Sequence, residues 1–245
     1  MNRLVEMLSV ARPGNSESVK KWTEKFIDPY GECGNFFIDE IGNRYIKIGH
    51  SNIAFTAHTD TVHSTGGEII VLHDSVNSRI YAENSILGAD DGVGCFLLVE
   101  MIKNKVPGTY IFYVEEESGG VGANYSLENH PEYYKDIYAM ISMDRRGTGS
   151  VITHQGGRLG CTPDFSIRLS DALNKFGHSF VPDDTGIFTD SAVFIGTIPE
   201  CTNLSVGYFK AHSKDEYVDL NFLEKFTKTI INLDWSSLVL NNNYK

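Results

Sequence analysis

The sequence predicts an α/β fold, a three-layer sandwich with a mostly parallel, mixed central sheet and helices on both of its faces. Strand-like and helix-like segments alternate along the chain of 245 residues, which is typical of this class. Two strand-like runs, at 109–117 and 136–144, are almost unbroken apolar sequence up to their acidic ends, as expected of strands buried on both faces. Because no repeat, linker or low-complexity tract divides the chain, we expect a single domain over residues 1–245.

The other elements follow from spacing and from turn residues. Val19, Trp22 and Phe26 share one face of a helix predicted over 16–28, which stops before a proline. Further helices are predicted over 2–10, 93–105, 120–130, 163–177, 189–196 and 219–240. Runs of β-branched and aromatic residues between turn residues predict strands over 35–39, 43–49, 52–58 and 201–207, and a hairpin over 68–74 and 78–84. The final residues, 241–245, are expected to fray.

Composition and charge argue against several classes of function. The chain carries 32 acidic and 21 basic residues, a formal net charge of −11, and has no basic stripe of the kind that binds nucleic acid. No apolar stretch approaches the roughly 20 residues needed to span a bilayer, and the N-terminus lacks the apolar core of a signal peptide. Four widely spaced cysteines without a CxxC pair favour reduced thiols. We therefore expect a cytoplasmic protein without nucleic-acid or membrane partners.

Five short segments place acidic residues and histidines where strand-like runs stop, which is where α/β proteins carry their chemistry. Their acidic side chains would repel one another in a shared cleft unless cations were bound between them. Each segment alone has an ordinary interpretation as a turn, a helix cap or a surface histidine, but their number and order favour a two-metal hydrolase. The segments are AHTDTV (57–62), GADDGVG (88–94), VEEESGGVGA (114–123), SMDRRG (142–147) and KAHSKDEYV (210–218).

The first two segments offer a histidine ligand and a bridging carboxylate. His58 and Asp60 are two residues apart at a strand end, so they face the same way, and Asp60 can fix the tautomer of a metal-bound His58. In the second segment, Asp90 and Asp91 lie between glycines, which allow the backbone to approach two ions closely. We expect Asp90 to bridge the ions and Asp91 to cap the helix that follows.

The other three segments complete the candidate site. Glu116 is the expected general base and Glu117 a metal ligand, since neighbouring strand residues point to opposite sides and need not share a role. Asp144 ends a buried strand and can complete the shell of one ion. His212, in the loop before the final helix, is the expected last ligand. Glu115 is interpreted as a bystander, most other histidines as surface residues, and the candidates for contacts to a substrate are His154, Arg145, Arg146 and Arg158.

In order and content these segments resemble the co-catalytic zinc exopeptidases: the peptidase T and carboxypeptidase G relatives and the aminopeptidases with the same core. The HxD, GADD and EExGxxGA motifs of that family match HTD, GADD and EESGGVGA here, and RPGNSES (12–18) and TDSAVF (189–194) are also similar to family segments. The resemblance spans nearly the whole chain. It implies one metal group of His58, Asp90 and Asp144 and a second group of Asp90, Glu117 and His212.

The chain departs from the peptidase T relatives in one respect. Those proteins insert a lid and dimerisation domain between the late aspartate and the final histidine, whereas only 67 residues separate Asp144 from His212 here. These residues already contain predicted helices and strands, so an inserted domain will not fit. We expect a bare catalytic core, and neither the carbonyl-polarising histidine of the lid nor the usual dimer is implied.

The sequence therefore predicts a zinc-dependent exopeptidase that cleaves peptide bonds near a chain end, in the manner of an aminopeptidase or tripeptidase. Two Zn²⁺ ions are the expected cofactors, and Co²⁺ or Mn²⁺ would also be accommodated. One alternative is an amidohydrolase acting on N-acyl amino acids with the same site. Another is a binding protein that kept the fold and lost catalysis. The preferred side chains, the terminus attacked and the oligomeric state are left open.

Overall fold

The structure, a computed structural model, describes residues 2–239. The last residue of the predicted final helix, 240, and the tail predicted to fray, 241–245, lie outside the described residues. Helices α1 to α7 span Asn2–Leu8, Glu17–Phe26, Ala89–Lys103, Val121–Asn129, Pro163–Asn174, Asp190–Val193 and Leu220–Asn232. Short 3₁₀ helices span Asp28–Cys33, Pro131–Tyr134 and Trp235–Leu238.

The strands are short, and the longest of them form the centre of the fold. Strands β1 to β8 span Val10–Ala11, Asn35–Ile38, Arg44–Ile48, Ile53–His58, Gly67–Glu68, Val71–Asp74, Arg79–Ala82 and Gly108–Tyr113. Strands β9 to β16 span Ala139–Arg145, Ser150–Ile152, His154–Gln155, Arg158–Leu159, Val181–Asp183, Glu200–Ser205, Tyr208–Phe209 and Tyr217–Asp219.

Within the described residues, eight strands form one mixed sheet in the order β13-β10-β14-β9-β4-β8-β3-β2. The central strands β14, β9, β4 and β8 are parallel to their neighbours in this group. Strands β3 and β2 extend one side in antiparallel fashion, and β10 is antiparallel to β14 but parallel to β13. The predicted mixed, mostly parallel sheet is confirmed.

Because the central strands are parallel, their carboxyl ends lie along one edge of the sheet. Strand β4 ends at His58, and β8 ends at Tyr113, shortly before the three glutamates. Strand β9 has Asp144 as its last residue but one, and α3 carries Asp90 in its first turn. One edge of the sheet therefore gathers residues that lie far apart in the sequence.

Helices cover both faces of the sheet, and alternate strand residues enter separate cores. Phe55, Tyr110 and Ile141 belong to the larger apolar core, to which α1, α3, α5 and α7 contribute. Ala54 and Ile111, the neighbours of the first two residues, belong to a smaller core on the opposite face with residues of α4 and α6. Since side chains alternate across a strand, this division is that of a three-layer sandwich, as predicted.

A second sheet of four strands, in the order β15-β16-β7-β6, lies beside the carboxyl edge within the described part of the chain. Its β6–β7 pair is the predicted hairpin. The loop between β15 and β16 carries His212. The cysteines are free, and Cys95, Cys161 and Cys201 are buried, in agreement with the expected reduced thiols. No helix described here is long and apolar enough to cross a membrane.

Some elements differ from the sequence-based expectation. The final helix predicted over 219–240 is helical only as far as Asn232, and a separate 3₁₀ helix follows. Asp234 caps the N-terminus of this 3₁₀ helix, because its side chain accepts a hydrogen bond from the main-chain N–H of Ser236. Strands β10 and β13 were not predicted, because three-residue strands are too short to show a period of two.

The strand predicted over 109–117 also ends early, at Tyr113. Glu115 has a positive φ of 54°, which is incompatible with a strand. The N–H groups of Glu116 and Glu117 donate to the carboxylate of Asp60 and not to a neighbouring strand. The glutamates therefore form a turn beyond the strand, and the expected alternation of strand side chains does not apply to them.

Arg12 joins the N-terminal segment to this edge of the sheet. Its side chain is fully buried and stacks over the ring of Trp22. The guanidinium donates to the carbonyl oxygens of Thr59 and Gly88, which belong to two of the chemistry-bearing segments. It also donates to the carbonyl oxygens of Met7 and Val10.

The Arg12→Ala substitution is expected to lower the free energy of unfolding by about 3–5 kcal/mol, because buried carbonyl oxygens would lose their donors. Urea denaturation measures this change. The control is Lys21→Ala, which removes a positive charge from an exposed ion pair with Glu17 and should change stability by less than about 0.5 kcal/mol. Similar losses in the two variants would show that Arg12 has no special structural role.

Candidate metal centre

Side chains from five separate segments meet at the carboxyl edge of the sheet. Possible ligand atoms of His58, Asp90 and Asp144 all lie within 4.8 Å of one another. The same is true of Asp90, Glu117 and His212. Because Asp90 belongs to both groups, the groups are adjacent and share one carboxylate. These are the two groups that the family resemblance implies.

His58 is held so that one ring nitrogen faces the cluster. Its Nδ1 lies 3.1 Å from the main-chain oxygen of Asp60, and because a carbonyl oxygen can only accept, this nitrogen carries the proton. Its Nε2 lies 3.0 Å from Asp90 Oδ1 and 3.8 Å from Asp144 Oδ1. An imidazole fixed in this tautomer presents Nε2 to a cation.

Asp60 contacts the glutamate turn as well as lying beside His58, whereas the sequence predicted only a role beside His58. Its Oδ1 lies 3.5 Å from His58 Nδ1, farther than the main-chain oxygen of the same residue. The two carboxylate oxygens accept the N–H groups of Glu116 and Glu117, at 3.0 and 3.2 Å. Asp60 therefore links the histidine segment to the glutamate turn and fixes the direction in which the two glutamates leave the backbone.

The segment with Asp90 and Asp91 starts α3 in an irregular conformation. Gly88 has a left-handed φ of 70°, and the peptide bond between Asp90 and Asp91 is cis. The Asp91 carboxylate accepts the N–H of Gly94, which is the expected helix cap, and also the N–H of His58. A side chain at Gly94 would collide with the carbonyl oxygen of Met143, so this glycine permits close contact between α3 and β9.

Asp144 is oriented by two hydroxyl groups. Thr189 Oγ1 donates to Asp144 Oδ2 at 2.7 Å, and the buried Tyr208 hydroxyl donates to Oδ1 at 3.0 Å and to the main-chain oxygen at 2.9 Å. Oδ1 is also the oxygen that faces His58. Sequence reasoning did not find Tyr208, because a single tyrosine at the start of a short strand carries no recognisable pattern.

Glu116 and Glu117 face the cluster from the same turn. Glu116 is mostly buried, with Oε2 4.0 Å from His58 Nε2. Glu117 Oε1 lies 2.9 Å from His212 Nε2, yet it is buried and makes no hydrogen bond of good geometry. A buried carboxylate oxygen without a hydrogen bond is costly in a folded protein. A cation at this position would satisfy it.

The crowded carboxyl groups perturb one another's protonation. Burial raises the pKa of Asp144 well above its usual range, and the Asp90 carboxylate adds to the shift. Burial also raises the pKa of Glu116 to about 7, with Glu117 and Asp90 adding to the shift. Contacts with Asp90 and Glu117 raise the pKa of His212 to about 10. Neighbouring negative charge contributes to all three shifts, and divalent cations would neutralise it.

The chemistry of the donor set fits a cation of the zinc class. Each group offers one imidazole nitrogen and two carboxylates, and imidazole with carboxylate ligands suits Zn²⁺, Co²⁺ and Mn²⁺. Three protein ligands per ion would leave a position open for water or substrate, as in catalytic zinc sites.

A cleft of about 540 Å³ opens over the cluster. Of the four residues considered for substrate contact, Arg145 and Arg146 line it. His154 instead lines a separate cavity, and Arg158 donates to the main-chain oxygens of Ala192 and Ile195. Other lining residues near the metal groups are Ile152, Gln155, Thr185, Gly186, Ile187 and Phe188.

Some histidines expected at the surface are partly buried. His63 contacts Thr61 Oγ1 and the carbonyl oxygen of Ile86. His130 and His178 are also partly buried, whereas His50 and His73 are exposed as expected. None of these five lines the cleft over the cluster.

Glu216 is the main residue that the sequence analysis missed. It is 1% exposed, and its carboxylate accepts the N–H groups of Gly88 and Asp90, at 2.8 and 3.1 Å. It thereby positions the main chain that carries the shared carboxylate. The only signal in the sequence was an acid four residues after His212, within a segment where several polar residues looked equivalent.

No protein-family model matches the sequence, and no curated protein matches it either. Solved structures do match its fold. Aminopeptidase PepT from Bacillus cereus is 18% identical, with a TM-score of 0.76 over 94% of this chain and 95% of that one. A tripeptidase from Staphylococcus aureus is 14% identical, with a TM-score of 0.74 over 94% and 95% of the two chains. Aminopeptidase APDkam598 from the archaeon Desulfurococcus kamchatkensis is 15% identical, with a TM-score of 0.71 over 94% and 92%.

At these identities the likeness establishes the fold. The chain has the zinc exopeptidase-like α/β fold, and the fold class predicted from the sequence is confirmed. The similarity extends over nearly the full length of each of the three chains and is not confined to a short motif.

The Glu216→Gln substitution is expected to weaken zinc binding by about tenfold to a hundredfold, as the loss of groups that orient metal ligands typically does. Glutamine keeps one acceptor, but its NH₂ group would face a main-chain N–H. Calorimetric zinc titration measures the affinity, and circular dichroism checks that the variant is folded. Glu224→Gln, at an exposed ion pair on α7, is the matched control. Equal zinc affinities in the two folded variants would contradict a positioning role.

Proposed function

We propose that the protein is a zinc-dependent metallopeptidase, an exopeptidase that hydrolyses peptide bonds near a chain end. The observation that carries this proposal is the pair of three-residue groups that share Asp90, with Glu116 beside them. A cluster built only for structure needs neither a shared carboxylate nor a nearby glutamate outside both groups. The similar structures support the same reaction, because they are aminopeptidases and a tripeptidase.

Two Zn²⁺ ions are the proposed cofactors, one held by His58, Asp90 and Asp144 and the other by Asp90, Glu117 and His212. When bound, two such ions supply Lewis acid chemistry, polarising the carbonyl group and lowering the pKa of water. The remaining steps belong to the protein. Asp60, which fixes His58 and the glutamate turn, would keep the ligands in place.

Glu116 is the proposed general base. It lies within the cleft, belongs to neither metal group, and has a pKa of about 7 because it is buried among other carboxylates. A carboxylate beside both metal groups can take a proton from the attacking water and later return it. The water oxygen forms a bond to the carbonyl carbon as the C–N bond breaks. Glu116 then gives the proton to the leaving nitrogen.

We infer that the chain forms one catalytic domain without an inserted lid. The residues between Asp144 and His212 supply β10, β13 and β14 of the central sheet, together with α5 and α6. These elements and the loops that connect them account for the stretch and leave no room for an inserted domain, although its loop residues Thr185 and Phe188 line the cleft. The buried free cysteines support a reducing, cytoplasmic location.

The alternative substrate class, N-acyl amino acids, would use the same metals and the same base. A panel of dipeptides and tripeptides with free amines, run beside their N-acetylated forms and N-acetyl amino acids, separates the two activities. Hydrolysis of the acylated compounds alone would favour the amidohydrolase. The catalytically inactive binding protein would be favoured by full zinc loading without turnover of any compound.

The Glu116→Gln substitution is expected to lower kcat by about 10² to 10⁴ while zinc content remains unchanged, because it removes the base but none of the proposed ligands. Elemental analysis and peptide assays on the same sample measure both quantities. Glu115→Gln, one residue earlier in the same turn and outside the lining of the cleft, should retain wild-type activity. Undiminished turnover by the Glu116→Gln protein would remove this residue from its role.

Removal of metal is expected to lower the melting temperature, since the carboxylates of both groups lose their counter-charge. Conversely, free zinc at about 1,000 times its Kd would stabilise the fold by about 4 kcal/mol. Scanning calorimetry with zinc and with chelator measures the difference. The Asp90→Asn variant, which lacks the shared carboxylate, should lose most of this response. A melting temperature that chelator does not change would contradict the proposed metal centre.

A further inference from the structure

Two arginines line the cleft and have no part in the proposed reaction. Arg145 and Arg146 directly follow the ligand residue Asp144 at the end of β9. They bring two positive charges to a cleft whose other charged groups are mostly acidic. Their surroundings indicate whether these charges are already neutralised within the protein.

Arg145 is firmly placed but only loosely neutralised. Its side chain is 13% exposed, and Nη2 donates to Thr185 Oγ1 at 2.8 Å. The nearest carboxylate oxygen is Asp183 Oδ2 at 3.8 Å, beyond hydrogen-bond distance. That carboxylate already accepts from the hydroxyl groups of Ser150 and Thr185. The charge of Arg145 is therefore only partly balanced.

Arg146 has a fixed main chain and a free head group. Its carbonyl oxygen accepts the hydroxyl of Ser205, and the next residue, Gly147, donates to the carbonyl oxygen of Tyr208. The side chain is exposed at the cleft, and across residues 2–239 its guanidinium has neither a hydrogen bond nor an ion pair. A guanidinium without a partner, carried on a fixed main chain, is well suited to bind a planar anion from solution.

The net charge of the cleft with two divalent cations bound also favours the binding of an anion. Four carboxylates line the cleft, at Asp90, Glu116, Glu117 and Asp144. Two divalent cations would cancel their four negative charges. The arginines then leave the cleft with excess positive charge, only loosely offset by Asp183, so an anionic group on the substrate would be attracted to this side.

We propose that Arg146, assisted by the neighbouring charge of Arg145, binds a carboxylate of the substrate and so selects peptides that carry one close to the scissile bond. This inference rests on the proposed peptidase function and names its substrate class. Arginine binds carboxylates through two parallel N–H···O bonds, which gives both strength and orientation. The carboxylate can be the C-terminus of a short peptide or the side chain of an acidic residue.

Four peptides distinguish these two sources: trialanine, trialanine amide, and the amides of Ala-Glu-Ala and Ala-Gln-Ala. We expect the zinc-loaded protein to prefer the free acid over its amide, or the Glu peptide over the Gln peptide, by about tenfold or more in kcat/KM. The Arg146→Gln variant should lose this ratio. The Arg146→Lys variant retains the positive charge but cannot form two parallel N–H···O bonds, so it should keep part of the ratio.

Arg158→Gln is the matched control, since it removes the same charge from an exposed arginine outside the cleft. It should preserve the wild-type ratio. A wild-type protein that cleaves the charged and uncharged peptides of both pairs equally well would overturn the carboxylate anchor and leave the peptidase function intact.

Failure of the peptidase function itself would appear as no cleavage of any peptide. A binding measurement then tests carboxylate recognition by Arg146 separately. Calorimetric titration of the four peptides into zinc-loaded Glu116→Gln protein, and into the same protein with Arg146→Gln added, should show tighter binding of the charged peptides only when Arg146 is present. Equal affinities for all four peptides, or no binding of any of them, would overturn the proposal.

Discussion

The structure depends on a solution to one electrostatic problem, the crowding of carboxylates at a nearly buried edge of a sheet. Three of these carboxylates are satisfied by main-chain N–H groups: Asp60 by the glutamate turn, Asp91 by His58 and Gly94, and Glu216 by Gly88 and Asp90. Each one joins its own segment to another segment of the site, from which at least one of its donors comes. Hydrogen bonds to N–H groups stabilise the ionised form of a buried carboxylate. These three outer acids therefore hold the backbone in place. The inner acids, Asp90, Glu116, Glu117 and Asp144, then converge on a common point.

The inner acids lack such compensation from the main chain, which distinguishes the two sets. Glu117 Oε1 is buried without a hydrogen bond, and among the described residues the carboxylate of Asp144 accepts hydrogen bonds only from the hydroxyl groups of Thr189 and Tyr208. The one fully buried arginine of the described chain, Arg12, interacts with the outer acids Asp60, Asp91 and Glu216, in addition to its carbonyl partners. The supporting acids thus find hydrogen-bond donors within the protein, whereas the inner acids would be neutralised by the proposed cations.

The sequence predicts those parts of the fold and site that have local signals. Strands β4, β8 and β9 lie in apolar runs of the sequence. The acidic residues after these runs are conspicuous for that reason. Tyr208 and Glu216 could not be found in this way, because each acts on a main chain or carboxylate more than 60 residues away in the sequence. The early end of β8 could not be predicted for a related reason. The turn that contains the glutamates is fixed by Asp60, which is far away in the sequence.

The end of β9 shows how one strand can contribute both reactivity and selectivity. Successive side chains at a strand end point in different directions. Asp144 faces His58, Arg145 is held by Thr185, and Arg146 projects into the cleft without a partner. A substrate drawn to the arginines would therefore lie next to the metal groups without help from a separate domain. In the proposed core without a lid, binding and chemistry would be coupled through the fixed spacing of three consecutive residues.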